Sequence, residues 1–470
     1  MSNNELLISK VLLKSEHWAV IRKYLNPNVK IAPELFTYDG LSTPVRKYID
    51  FVNDSNKSWY LSIPHLRDMS AIPWRILIQN GVHTSFDNTC IKDAITGYSS
   101  ATEEALLREG KDGTISAAQN PSEKIFLPDG SFYTIPKGVL IIPYYMPSKD
   151  KTPEGITAMR TKYGEANFTV RTNLSKLRYV RTATNAFNSV ETKKALTRMP
   201  YIPFAYLTPE TNHIAKVMLI NDIADDFQYV PNSKAVIAEA MDNILNESRT
   251  TSHRTIFIIE GEKKAMALSA ACDGLLQSAI SSYVSGKSYK APPLFEVVGI
   301  SGVWQTMQGK TELQPDLLKC VDFENADVVL MYDNDLRTNL QVVNAMAMLA
   351  SGIKQSGAKS VSMVYPSIPQ ICSGQENLCK GFDDTVSTIF NLLKSQEYSK
   401  YANPRLSAQL LAMEHVMSNI VPIKTTELSA KQLKSLIAPY YSQKGSAPKV
   451  MDLIADRPDN TRRSKVTLAR

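Results

Sequence analysis

At 470 residues, with 43% hydrophobic and 21% charged content, the chain has the make-up of a soluble globular protein of about two to four domains. Its net charge of +7 permits a nucleic-acid partner without demanding one. The five cysteines (Cys90, Cys272, Cys320, Cys372 and Cys379) are scattered, no pair has zinc-knuckle spacing and the six histidines do not cluster, which predicts a reduced cytosolic setting and no structural zinc. The N-terminus lacks the basic and apolar regions of a signal peptide, and no stretch approaches the length of a membrane helix. The expectation is a cytoplasmic protein with no membrane partner.

Residues 1–135 mix helical patterns with turns. An amphipathic helix is predicted over 6–25 and shorter ones over 70–82 and 87–95, while 108–130, rich in Gly, Asp, Pro and Ser, reads as loop or linker. From 136 to 249 the pattern is that of a smaller, β-rich, basic subdomain. Strands are predicted over 138–145, 156–162 and 176–181, and the β pattern runs to about 235. Alternation places Arg160, Lys162, Lys176 and Arg178 on one sheet face, and Arg181 is a further candidate that strict alternation does not place there. With Tyr163, Phe168 and Tyr179 available for stacking, that face is a candidate groove for single-stranded nucleic acid. A solvated sheet face is the plainer alternative.

Over 250–390 strands and helices alternate: 255–259, 263–272, 295–299, 327–332, 340–356 and 360–365. This order argues for an α/β fold with a parallel sheet and right-handed crossovers. Residues 391–455 are read as helical, and 456–470 as a basic disordered tail. No internal repeat is visible.

Two of these strands deliver carboxylates where they end. The run Thr255-Ile-Phe-Ile-Ile259 leads into Glu260-Gly261-Glu262-Lys263-Lys264-Ala265, and Val328-Val-Leu-Met-Tyr332 leads into Asp333-Asn334-Asp335. Apolar runs of this kind are strands buried on both faces, and in open α/β sheets ligands bind at the C-terminal edge. Two such edges side by side would gather three carboxylates round one point, as a hard divalent cation requires. Each piece alone has a bland reading. The Asp-x-Asp is more often a solvated turn, and the plainer reading of Glu260 is a capping carboxylate at a helix N-terminus. Lys263 and Lys264 stand at the helix end that disfavours cations, so they face either phosphates or solvent. Lys380-Gly381-Phe382-Asp383-Asp384 adds either a carboxylate and a phosphate-binding lysine or a plain N-cap. Gly286-Lys287-Ser288 is rejected as a phosphate-binding loop, because Ser281 stands where the leading glycine is required.

Taken in order, the Glu-Gly strand end, the Asp-x-Asp strand end and the late Lys-Gly-x-Asp-Asp segment resemble a Toprim domain. That metal-binding α/β domain is shared by bacterial-type primases, type IA and II topoisomerases and some nucleases. The spelling is closest to a Toprim-like subfamily in replication proteins of phages, plasmids and other mobile elements. The resemblance is good over 250–390, thinner over 136–235 and faint before 135. It implies a Toprim-type parallel sheet with flanking helices, preceded by the basic α+β subdomain and followed by a helical C-terminal region. It implies a DNA primase-like nucleotidyltransferase that makes short primers on single-stranded DNA from nucleoside triphosphates. Glu260, Asp333 and Asp335 would be catalytic. With Asp383 they would be ligands for Mg²⁺ or Mn²⁺, and Glu260 would be ligand or general base. Lys263, Lys264 and Lys380 would bind phosphate. The alternatives are a Toprim nuclease and a non-catalytic nucleic-acid-binding subunit that docks a replicative helicase or another replication protein. The chain departs from bacterial primases in lacking their zinc-binding domain, and no Gly-x-x-x-x-Gly-Lys-Ser/Thr motor loop is present.

Overall fold

The computed structural model describes residues 71–80, the strands between His83 and Thr182, and residues 200–207, 209–300, 302–309, 312–394 and 403–458. Its contacts divide the chain into two compact units. One comprises residues 1–244 with 276–290 and 319–321, and the other comprises 245–275, 291–318 and 322–470.

The first unit begins with helix α1 (Trp74–Gln79) and strand β1 (His83–Thr84). Strands β2 (Tyr98–Ala101), β3 (Leu106–Glu109), β4 (Ile115–Ala118), β5 (Ser122–Phe126) and β6 (Phe132–Pro136) follow. Then come β7 (Leu140–Pro143), β8 (Phe168–Arg171) and β9 (Val180–Thr182). They form a four-stranded antiparallel sheet in the order β1-β7-β8-β9, a three-stranded sheet β2-β5-β6, and the hairpin β3-β4. The segment 108–130, expected to be loop, therefore carries strand pairing. Ser116 and Ser122, counted there among the loop-formers, lie within β4 and β5. The expected strand at 138–145 is present as β7. Of the one expected at 176–181 only the end is described, as β9, with Arg181 paired to Thr169. Arg160, Lys162, Lys176 and Arg178 lie outside the described residues, as do the predicted helices 6–25 and 87–95 and the predicted strand 156–162.

The β pattern read to about 235 ends earlier. Residues 209–251 are mostly two long helices, α2 (Pro209–Asp226) and α3 (Ser233–Thr251). Ile237, Ala240, Met241 and Ile244 of α3 are buried at helical spacing, which is what holds this stretch helical. Beside α1, the buried Asn80 side chain accepts from Tyr201 Oη at 2.8 Å and from Phe204 N at 2.9 Å. Arg75 pairs with Asp222 of α2 at 2.6 Å.

The second unit is an α/β domain. Its sheet comprises β10 (Thr255–Glu260), β11 (Phe295–Ile300), β14 (Asp327–Met331), β15 (Ser360–Val364) and β16 (Ile420–Pro422), with the small hairpin β12 (Met307–Gln308) and β13 (Glu312–Leu313) beside it. The order is β11-β10-β14-β15-β16. The first four strands are parallel and β16 is antiparallel. Ile256, Phe257, Ile258, Val328 and Leu330 have no exposed surface, as the continuous apolar runs of a sheet covered on both faces predict. The covering helices are α4 (Glu262–Val284), the short α5 (Pro315–Cys320), α6 (Leu340–Gln355) and α7 (Phe382–Lys394). Helix α4 runs well past the expected 263–272, continuing through Asp273-Gly274 because Leu276, Ala279 and Ile280 stay buried at helical spacing.

Residues 403–458 are not purely helical. Helices α8 (Pro404–Ser418), α9 (Ala430–Ile437) and α10 (Ala447–Ile454) are interrupted by β16, which completes the sheet. Three residues are too few to show a period. No helix among the described residues is long and apolar enough to cross a membrane.

Candidate functional site

Strand register creates the site. Ile259 of β10 lies opposite Met331 of β14, so the two chains leave the sheet together at its C-terminal edge. Glu260 ends β10, and Gly261 follows with φ +94°, a left-handed conformation that side chains resist. The Gly261 amide donates to Ile300 O at 2.6 Å, and α4 starts at the next residue. On β14, Tyr332 and Asp333 lead into a single 3₁₀ turn, Asn334–Arg337. Asn334 ties this turn to a third segment: its amide donates to Lys380 O at 2.8 Å and its side chain to Cys379 O at 2.6 Å. Lys380-Gly381 is thereby held against the strand ends, and α7 carries Asp383 and Asp384 in its first turn.

The two lysines of the Glu-Gly-Glu-Lys-Lys segment face aspartates. Lys264 Nζ lies 2.5 Å and 2.6 Å from the two oxygens of Asp333. Lys263 Nζ lies 3.4 Å from Asp383 Oδ2, with both side chains almost wholly buried. Gly381 makes room for this arrangement: a Cβ there would stand 2.6 Å from Lys264 Cε, 3.0 Å from Asp333 Oδ1 and 3.2 Å from Asp383 Oδ1. Two buried polar atoms, Asp383 Oδ1 and Tyr332 Oη, have no hydrogen-bond partner.

The electrostatics follow from burial and crowding. Burial pushes the Glu260 carboxyl up to about 7; Lys264 opposes this, while Asp333, Asp335 and Glu262 add to it. Burial, followed by repulsion from Asp383, raises Asp384 to about 6, against the pull of Lys263 and Lys264. Asp335, at the exposed lip, is raised by partial desolvation and then by Asp333. Burial disfavours the Lys264 ammonium, but Asp333, Asp383 and Glu260 around it outweigh that and hold its pKa above the ordinary lysine value.

A hard divalent ion suits the chemistry of this donor set. Glu260, Asp333 and Asp335 carry oxygen donors whose mutual repulsion a cation would relieve, and Asp383 Oδ1, without a partner among the described residues, is a further acceptor. With the side chains as placed, no three His, Cys, Asp or Glu groups among the described residues converge as a metal-holding set. Lys264 already supplies the counter-charge on Asp333, so its ammonium and a divalent ion are alternatives for that carboxylate.

The fold thus brings together Glu260, Lys263, Lys264, Asp333, Asp335, Lys380 and Asp383. Lys263 and Lys264 are engaged with carboxylates, and Lys380 is exposed. Sequence reasoning gave no role to Asn334, Gly381 or Asp384. The glycine and the second aspartate were visible in the Lys-Gly-Phe-Asp-Asp spelling, whereas the Asn334 tie depends on a contact across 45 residues. No protein-family model, curated protein or solved structure matches the chain significantly.

Proposed function

We propose that the chain is a DNA primase-like nucleotidyltransferase of the Toprim class, making short primers on single-stranded DNA in the replication of a mobile element. One observation carries this reading. Adjacent parallel strands, registered Ile259 to Met331, end in Glu260 and in Asp333-Asn334-Asp335, with two lysines of the intervening helix turned onto the aspartates.

In this reading Glu260, Asp333 and Asp335, with Asp383, would hold Mg²⁺ or Mn²⁺, and such an ion would supply charge neutralisation for the triphosphate and for deprotonation of the 3′-hydroxyl. If Glu260 is instead not a ligand, its metal-free pKa of about 7 suits it to act as the general base that takes the hydroxyl proton. Lys264 balances Asp333 before substrate arrives and turns to phosphate afterwards. Lys380, exposed beside it, adds positive charge at the mouth. The basic residues Arg160, Lys162, Lys176, Arg178 and Arg181 track the template through salt-sensitive phosphate contacts.

The test is incubation with single-stranded DNA, Mg²⁺ and labelled nucleoside triphosphates. Short labelled oligomers support the reading. Degraded DNA without triphosphate use replaces it with a nuclease, and DNA binding without either product replaces it with a binding subunit.

A further inference from the structure

Beside the acidic cluster the α/β unit has a second feature that the roles above do not use. A cavity of about 720 Å³ opens along the turn that follows Asp333. Its walls come from that turn (Asn334, Arg337), from the loop after β15 (Tyr365) and from the loop before α7 (Asn377). Helix α10 and the residues after it complete the wall with Met451 and Arg457. We infer that this cavity is a nucleotide-binding pocket, with Arg337 gripping phosphate at the end nearest the carboxylates and the apolar wall holding the base.

Four observations lead there. The volume is that of a small-molecule site, for which roughly 300–1,000 Å³ is usual. Its position at the C-terminal edge of two parallel strands is where α/β sheets bind ligands. Asn334 belongs to both places, since it lines the cavity and separates Asp333 from Asp335. A phosphate chain held in the cavity therefore runs towards the carboxylate cluster.

The polar groups match the same ligand. Arg337 is exposed and has no acidic partner among the described residues, so its planar fork is open to phosphate oxygens. Arg457, a second lining cation, is oriented by Asp452 at 3.2 Å and 3.3 Å. The acidic wall residue, Glu376, is turned back to accept from Gly374 N at 2.8 Å, away from a clash with an anion. Asn377 makes no hydrogen bond within the described residues and keeps both a donor and an acceptor for a base edge. Pro366, Ile368, Pro448 and Met451 contribute the apolar part of the lining, against which a ring can rest.

This inference rests on the nucleotidyltransferase reading and states where its nucleotide sits. It is tested by equilibrium dialysis of full-length protein against labelled ATP, with EDTA and without DNA. Arg337→Ala, which removes a charged phosphate contact, and Thr338→Trp, which fills the cavity from an exposed wall position, should each weaken binding about tenfold or more. Circular dichroism checks that both variants fold. Absence of saturable ATP binding by the wild type, or affinities that neither variant changes, overturns the pocket. If primer synthesis is found while Arg337→Ala alters neither ATP affinity nor KM, the pocket fails and the primase reading stands. If ATP binding depends on Arg337 and no primer is ever made, the pocket stands and that reading fails.

Discussion

Lys264 of helix α4 caps both oxygens of Asp333, at 2.5 Å and 2.6 Å, across 69 residues of chain. The carboxylate that ends one strand is thus neutralised by a lysine that the neighbouring strand delivers. This arrangement lets a crowded acidic edge fold before any cation is bound. Lys264→Met should cost about 2 kcal/mol in urea denaturation with EDTA, a value below that of a fully buried pair because both groups retain some exposure. Added Mg²⁺ should recover much of that loss, since an ion that binds only the folded state stabilises it by mass action. A loss indifferent to Mg²⁺ would show that Asp333 does not receive a divalent ion.

Glu260 gives the metal-free protein a pH dependence. Its folded-state pKa of about 7 lies above the ordinary 4.5, so the folded state holds the proton more tightly than the unfolded chain. Its stabilising contribution is complete below about 4.5 and is lost as pH rises through about 7. Chemical denaturation in EDTA should therefore show stability falling from mildly acidic to neutral pH. Glu260→Gln should flatten that slope without abolishing it, because Asp384, raised to about 6, titrates in the same sense.

Gly381 separates geometry from stability. An alanine methyl would meet Lys264 Cε at 2.6 Å, but that atom lies near the end of a flexible chain and can move. Gly381→Ala should cost less than about 1 kcal/mol in stability. It should nevertheless lower primer synthesis about tenfold or more, because Asp333 Oδ1 and Asp383 Oδ1, at 3.0 Å and 3.2 Å, are displaced with it. A variant with wild-type turnover would mean that the Lys264–Asp333–Asp383 spacing is irrelevant to the chemistry.

The parts of this architecture legible in the sequence are those built from plain apolar patterns. Residues 255–259 and 328–332 announce strands because a sheet covered on both faces takes apolar side chains there, whereas 360–365 shows itself by alternation of Ser360 and Ser362 with the buried Val361 and Met363. The carboxylate ends of the first two, Glu260 and Asp333, follow directly. Less visible were elements whose stability comes from distant partners. Helices α2 and α3 lie where charged and polar residues mask a narrow buried stripe, and the strands of 98–126 lie in a segment whose turn residues dominate its composition. Cys372 and Cys379, too widely spaced in sequence for a zinc knuckle, are brought into hydrogen-bonding contact by the loop before α7. The partners of Lys263 and Lys264 were the sharpest miss. Sequence position at a helix N-terminus pointed to phosphate or solvent, and only the fold places Asp383 and Asp333 against them.

The most direct measurement compares wild type with Asp333→Asn in a template-dependent primer-synthesis assay with Mg²⁺, alongside a thermal melt of both proteins. The account predicts short labelled oligomers from the wild type, none from the variant, and a cooperative melt for each. A folded Asp333→Asn that makes primers at the wild-type rate would contradict it.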